Sequence, residues 1–165
     1  MKESWKGKVL RWKFNLFPAY RRTGGRVQFI AEDFSEMRVR LPLNWRTRNY
    51  VGTIYGGSMF GATDPIYMLM LINTLGKAYV AWDKAASIKF VRPGTSTLYA
   101  HFVLTPEYIA TVKSEVMAAG EKDCLLDVEL KNAEGQVIAV VQRTLYVATK
   151  AHYKQKQLKK KAQHG

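Results

Sequence analysis

Residues 49–75 read NYVGTIYGGSMFGATDPIYMLMLINTL. The segment opens as a glycine-rich loop and passes into a run that is apolar nearly all round, with Met59, Phe60, Ile66, Tyr67, Met68, Leu69, Met70, Leu71 and Ile72. A helix over 56–75 with apolar residues on most of its circumference has to be buried on several sides. Gly76 stops it. Asp64 is the single acid between Glu36 and Asp83. A buried carboxylate without a partner is costly, and a tuned carboxylate is a common catalytic tool. Asp64-Pro65 also has the form of an N-cap followed by Pro at the first helical position. Pro65 cannot donate to the carbonyl of Gly61, so the helix must kink or start afresh there. Asp64 therefore reads either as a reactive or ligand-facing group or as the cap of that break.

Working outward, residues 26–32 and 36–41 form a hairpin about the polar turn Asp33–Ser35, and Pro42 closes its second strand. Residues 43–55 are a loop carrying Arg46 and Arg48. A long strand is expected from Tyr79 to Pro93, with Ala86, Ile88 and Phe90 on one face and Asp83, Ala85, Ser87 and Lys89 on the other. A strand follows at 97–105. A short helix runs from Pro106 to Ala118 with Thr105 as N-cap. Two closing strands, 124–131 and 137–148, meet at a turn over Asn132–Gly135. Near the N-terminus Trp5, Val9, Trp12 and Leu16 make one helical stripe, with Pro18 ending the helix and Gly24-Gly25 a turn. This helix either packs on the domain or lies on a membrane surface. The organisation is an N-terminal amphipathic helix and turn (1–24), a domain at 25–149, and a basic C-terminal tail (150–165) in which the pattern dissolves. A single helix buried on most sides has to be wrapped by the sheet, so the fold class is α+β, a curved antiparallel sheet around one long central helix.

The net charge is +13 over 165 residues, and it is unevenly placed. Residues 1–26 hold eight Lys or Arg and one acid; residues 150–165 hold six Lys and no acid. The stretch 27–149 is neutral, with twelve of each sign. A neutral core argues against a nucleic-acid-binding fold. The basic arms serve solubility or attract an acidic partner such as anionic lipid or a carrier protein. One cysteine, Cys124, and three scattered histidines, His101, His152 and His164, exclude a disulfide within the chain and a His or Cys metal cluster. No leader-like stretch is visible, and the setting reads as reducing and cytoplasmic.

At this point the chain resembles the hotdog-fold proteins over about residues 15–148, in particular the branch typified by phenylacetate-pathway thioesterases. That branch carries an Asn, then His-Gly-Gly six residues later, then an Asp on the central helix nine residues after the His. Asn49, Tyr55-Gly56-Gly57 and Asp64 keep both spacings, with Tyr55 standing where the pattern has His. The 15–18 segment NLFP, the Gly24-Gly25 turn, GTIYGGS at 52–58 and WDKAAS at 82–87 also resemble a bacterial hotdog subfamily of unassigned function.

The resemblance implies hydrolysis of an acyl-CoA or acyl-carrier-protein thioester without metal or organic cofactor. Asp64 would be the general base or a nucleophile, and the N–H of Gly57, at the helix start, the oxyanion donor. Asn49 would hold the water or order its loop. Tyr55 and Gly56 would line the substrate. Tyr55 lacks a group that titrates near neutrality, which removes a second acid or base. The family's site lies at an interface, which implies a homodimer or a dimer of dimers, with Asp83, Ala85 and Ser87 contributed by the partner. Lys89 and Arg92 either grip a coenzyme A phosphate or are a solvated strand end. The alternative is a non-catalytic hotdog protein that binds an acyl or other hydrophobic ligand. A further rival is an interaction module whose basic arms engage anionic membranes or nucleic acid.

Overall fold

Six strands form one antiparallel sheet in the computed structural model, which describes residues 3–163. They are β1 (Arg26–Ile30), β2 (Glu36–Leu41), β3 (Tyr79–Phe90), β4 (Leu98–Val103), β5 (Glu121–Lys131) and β6 (Val137–Thr149), in the order β1-β2-β4-β5-β6-β3. The chain thus brings its third strand to the far edge, where β3 pairs with β6 alone. The expected hairpin, the turn at 132–135 and the strand order along the chain are all present.

The 56–75 segment lies against this sheet as two helices, α3 (Gly56–Thr63) and α4 (Ile66–Leu75), broken at Asp64-Pro65. Ile66, Met70 and Leu71 are fully buried and share one core cluster with Phe102, Leu130 and Leu145 from the strands. Burying side chains of this size contributes about 1.5–3 kcal/mol each over leaving them exposed. Tyr67 fixes the rotation of α4: its ring meets Phe102 edge-on at 5.0 Å, and its hydroxyl donates to the Asp127 carbonyl at 2.8 Å. Burial pushes that phenol up to about 12.

A β-bulge changes the phase of β3. Asp83 stands opposite Leu145, whereas Ala85 stands opposite Thr144, so Lys84 is an extra residue. Residues directly opposite share a face. Asp83 therefore points to the core side, in line with Ala86 (opposite Arg143), Ile88 and Phe90. Strict alternation had grouped Asp83 with Ser87 and Lys89; the bulge separates them.

Helix α1 (Trp5–Leu16) begins at Ser4, whose hydroxyl accepts from the Gly7 N–H at 3.1 Å. Pro18 does not merely end it: Pro18 opens a second short helix, α2 (Pro18–Thr23). α1 packs on β1, but through its polar face. β1 is an edge strand with unpaired backbone groups, and α1 supplies partners for them. Asn15 donates to the Val27 carbonyl and accepts from its N–H, at 2.9 and 2.8 Å. Glu3, paired with Arg11, accepts from the Ile30 N–H. A Cβ at Gly7 would come within 2.9 Å of the Ile30 carbonyl oxygen, so only glycine allows this approach. The stripe of Trp5, Val9, Trp12 and Leu16 consequently faces outward.

Thr105 caps α5 (Pro106–Ala119) as expected, its hydroxyl accepting from the Tyr108 N–H. The described part of the tail is helical: Lys150–Gln163 forms α6. It packs on the outer side of the sheet, where Trp82 stacks on Tyr146 and meets Tyr153 edge-on at 4.6 Å. The run of Lys, Ala, Gln and Leu has high intrinsic helix propensity, which the reading of a dissolving pattern passed over. Residues 1–2 of the N-terminal segment and 164–165 of the tail, His164 included, lie outside the described residues. Among the described residues no helix is long and apolar enough to cross a membrane.

Candidate functional site

The break in the central helix creates the most strongly polar point of the interior. Without an N–H on Pro65 the helical ladder cannot continue. The Asp64 N–H turns to the Gly61 carbonyl at 3.3 Å, three residues back, which frees the carbonyl of Phe60. That carbonyl accepts from the Thr63 hydroxyl at 2.8 Å and from Arg143 Nη2 at 3.1 Å. Arg143 is 1% exposed and stands in the core-facing file of β6, between Val141 and Leu145. Its Nη1 donates to Asp64 at 2.7 Å and to Asp83 at 3.4 Å, and its guanidinium carbon lies 4.9 Å from the Phe60 ring centroid. The C-terminal end of α3 also presents the negative pole of the helix dipole to this cation. Its Nε alone has no partner among the described residues.

One buried cation thus gathers two carboxylates from different elements. The Asp64 side chain is 57% exposed, so its charge meets solvent while its inner edge is pinned. Burial pushes the Asp83 carboxyl up, and Asp64 nearby adds to that; Arg143 opposes both. Asp64 is not an N-cap. Its backbone is helical, the residue before α4 is Pro65, and no side-chain capping bond starts that helix.

The second locus is the start of α3. The N–H groups of Ser58 and Met59 reach back to the Tyr55 carbonyl, at 2.9 and 3.2 Å. Those of Gly56 and Gly57 precede the first helical bond and have no partner among the described residues. Both glycines lie under close aromatic neighbours. A Cβ on Gly56 would sit 2.7 Å from the Phe90 ring, and one on Gly57 would sit 2.4 Å from Cε1 of Tyr55. The exposed Tyr55 ring therefore lies over Gly57. A largely apolar groove of about 520 Å³ adjoins this helix start, lined by Asn49, Gly56, Met59, Phe90 and Arg92 among others.

The residues singled out in the sequence fall into three groups. Asp64 and Asp83 meet on Arg143. Asn49, Tyr55, Gly56, Gly57 and Arg92 lie at or beside the start of α3. Ser87 and Lys89 stand on the outer face of β3, opposite Gln142 and Val140. Asn49 orders its own loop: Nδ2 donates to the Thr53 hydroxyl at 2.9 Å and Oδ1 accepts from the Thr53 N–H at 3.0 Å. Arg92 donates to the Val137 carbonyl at 2.9 Å. Arg143 was missed. Its signal was a lone charge in phase with the apolar core positions of β6, next to a central helix holding a lone acid.

A sheet of this order wrapped on a broken central helix is the hotdog fold, and solved hotdog structures superpose on most of the chain. A protein of unknown function from Pseudomonas aeruginosa, PA5026, described as a probable thioesterase, matches with a TM-score of 0.75 at 20% identity, covering 86% of this chain and 95% of that one. A thioesterase from Haemophilus influenzae matches at 0.63 and 16%, covering 90% and 94%. The PaaI protein of the E. coli phenylacetic acid degradation operon matches at 0.56 and 15%, covering 88% and 91%. No curated protein matches the chain. The chain belongs to the family described as a domain of unknown function, DUF4442, whose model spans residues 8–147.

Proposed function

We propose that this protein hydrolyses acyl thioesters of coenzyme A or an acyl carrier protein. The observation that carries the reading is the solvent-facing carboxylate of Asp64, clamped by buried Arg143, in a fold that also offers unpaired N–H groups at the start of α3. Asp64 takes a proton from water, and the hydroxide oxygen bonds to the thioester carbonyl carbon. The N–H of Gly57 donates to the oxyanion that forms. Collapse breaks the C–S bond, and the proton held by Asp64 goes to the departing thiolate. Arg143 touches no substrate; it is a positioning residue for Asp64.

In this reading the two groups at one carbonyl come from two chains. Gly57 and Asp64 are seven residues apart along the helix, about 10 Å at 1.5 Å per residue. The free edge of β3, twelve residues long, is a surface on which a second copy pairs and completes the site. The groove beside Gly56 takes the acyl chain or the pantetheine arm.

The test is release of free thiol across a panel of acyl-CoA substrates of increasing chain length. Turnover of some members supports hydrolysis. A second reading draws on the ion pair itself: a carboxylate pinned by a buried arginine also suits an acyl-binding protein without turnover. Tight binding of acyl ligands with no thiol release from any of the panel would decide for that reading.

A further inference from the structure

The apolar stripe of α1 is left uncovered. Trp5 is 78% and Trp12 67% exposed, and Val9 and Leu16 complete the row. Contiguous exposed apolar side chains of this size mark a contact surface. Their exposure follows from the way α1 docks, since Gly7, Asn15 and Glu3 turn the polar face to β1.

Leu16, at the end of the stripe, also lines an open groove of about 740 Å³. Four arginines reach that groove, Arg21, Arg22, Arg26 and Arg46, and Trp45 stands beside them, 76% exposed. None of the four has a carboxylate partner among the described residues; Arg46 stacks on Trp45 at 4.6 Å, and Arg26 donates to the Gly25 carbonyl. Lys6, Lys8 and Lys13 project from the flanks of the same helix. The surface therefore combines exposed indoles and aliphatic groups with uncompensated guanidinium and ammonium groups.

We infer that α1, α2 and the 42–46 loop form a docking surface for an anionic phospholipid bilayer. The chemistry selects this partner in two ways. Guanidinium groups hold phosphate oxygens in paired hydrogen bonds, and each basic residue near an anionic leaflet strengthens binding by about fivefold. Indole rings settle at the boundary between headgroups and acyl chains, which a soluble acidic protein does not offer. Trp5 and Trp12 are seven residues apart and so share one line along the helix, about 10 Å long, placing both rings at one depth. The lysines on the flanks lay their stems along the surface with their charges in the headgroup layer.

The experiment is co-sedimentation of the full-length protein with phosphatidylcholine vesicles, with and without phosphatidylglycerol, with tryptophan emission recorded in parallel. Binding is expected to the anionic vesicles, with a blue shift, and to weaken as salt is raised. The double variant Trp5→Ser/Trp12→Ser should lose binding by about tenfold or more, and Arg21→Gln/Arg22→Gln by about 25-fold. All four side chains are exposed, so thermal melts should be unchanged. No binding to anionic vesicles, or binding that ignores both double variants, would overturn the inference. So would a drop in oligomer size in the tryptophan variant, which would make the stripe a contact between copies. Equal capture by soluble polyglutamate, independent of the tryptophans, would mark an acidic-protein site and overturn it as well.

Discussion

Arg143 decides what Asp64 is. A buried guanidinium is tolerated where its donors are met, and Asp64, Asp83, the Phe60 carbonyl and Thr63 meet all but Nε. Removing it should cost more than removing either acid, because both carboxylates would lose their counter-charge and the core would gain a cavity. Arg143→Ala is expected to lower stability by about 3 kcal/mol in urea unfolding. Asp64→Asn isolates the chemistry. Asn is nearly isosteric and keeps an oxygen that can accept from Arg143, so melts should move little while thiol release falls by at least about 100-fold, the scale for losing a general base. Unchanged turnover in Asp64→Asn would remove Asp64 from the reaction.

At the scale of elements, three local irregularities assemble the site: the Pro65 break, the Lys84 bulge and the glycine pair at the start of α3. The break was legible because proline's missing N–H is a property of one residue. So were the Thr105 cap and the 132–135 turn. The bulge was not, since it depends on how β3 registers with β6, and one extra residue moved Asp83 to the face opposite Ser87 and Lys89. Arg143 lies 79 residues from Asp64 in sequence, beyond any local pattern. The stripe on α1 was legible, but its direction depended on backbone groups of β1 that needed polar partners. Helix α6 is tied down by a titratable clamp. Glu121 accepts from Lys156 Nζ at 2.6 Å and from the Tyr146 hydroxyl at 2.5 Å, which holds its carboxyl down at about 2 against an ordinary 4.5. A depressed carboxyl stabilises the folded form above its unfolded value and loses that contribution as pH falls through the folded value. Glu121→Gln should therefore loosen α6 at neutral pH, seen as faster amide exchange over 150–163, and the difference from wild type should shrink as pH falls from 4.5 toward 2. A difference that persists unchanged below that window would mean the clamp is not ionic.

For the whole molecule the question is whether one copy suffices. Gly57 and Asp64 are separated by seven residues, about 10 Å of helix rise. In the dimer proposed above, a second copy paired along β3 would bring the Asp64 of one protomer to the Gly57 of the other, giving two sites per dimer, each built from both chains. Gly57→Pro removes the donor while remaining compatible with the first turn of a helix. Gly57→Ala is its control, because it pushes the exposed Tyr55 ring in the same way but keeps the N–H. Asp64→Asn and Gly57→Pro should each abolish thiol release as homodimers, and Gly57→Ala should retain it. Unfolding and refolding the two inactive variants together at equal amounts makes about half of the dimers mixed, and each mixed dimer holds one intact site and one doubly impaired site. The mixture is therefore expected to regain about a quarter of wild-type activity by random pairing of equal copies. A mixture that stays inactive, with light scattering showing dimers and melts showing folded protein, would place each site within a single chain. The proposed pairing along β3 would then be wrong, and the search for the oxyanion donor would return to groups of the same chain, Gly57 and the Arg143 cluster at the helix break.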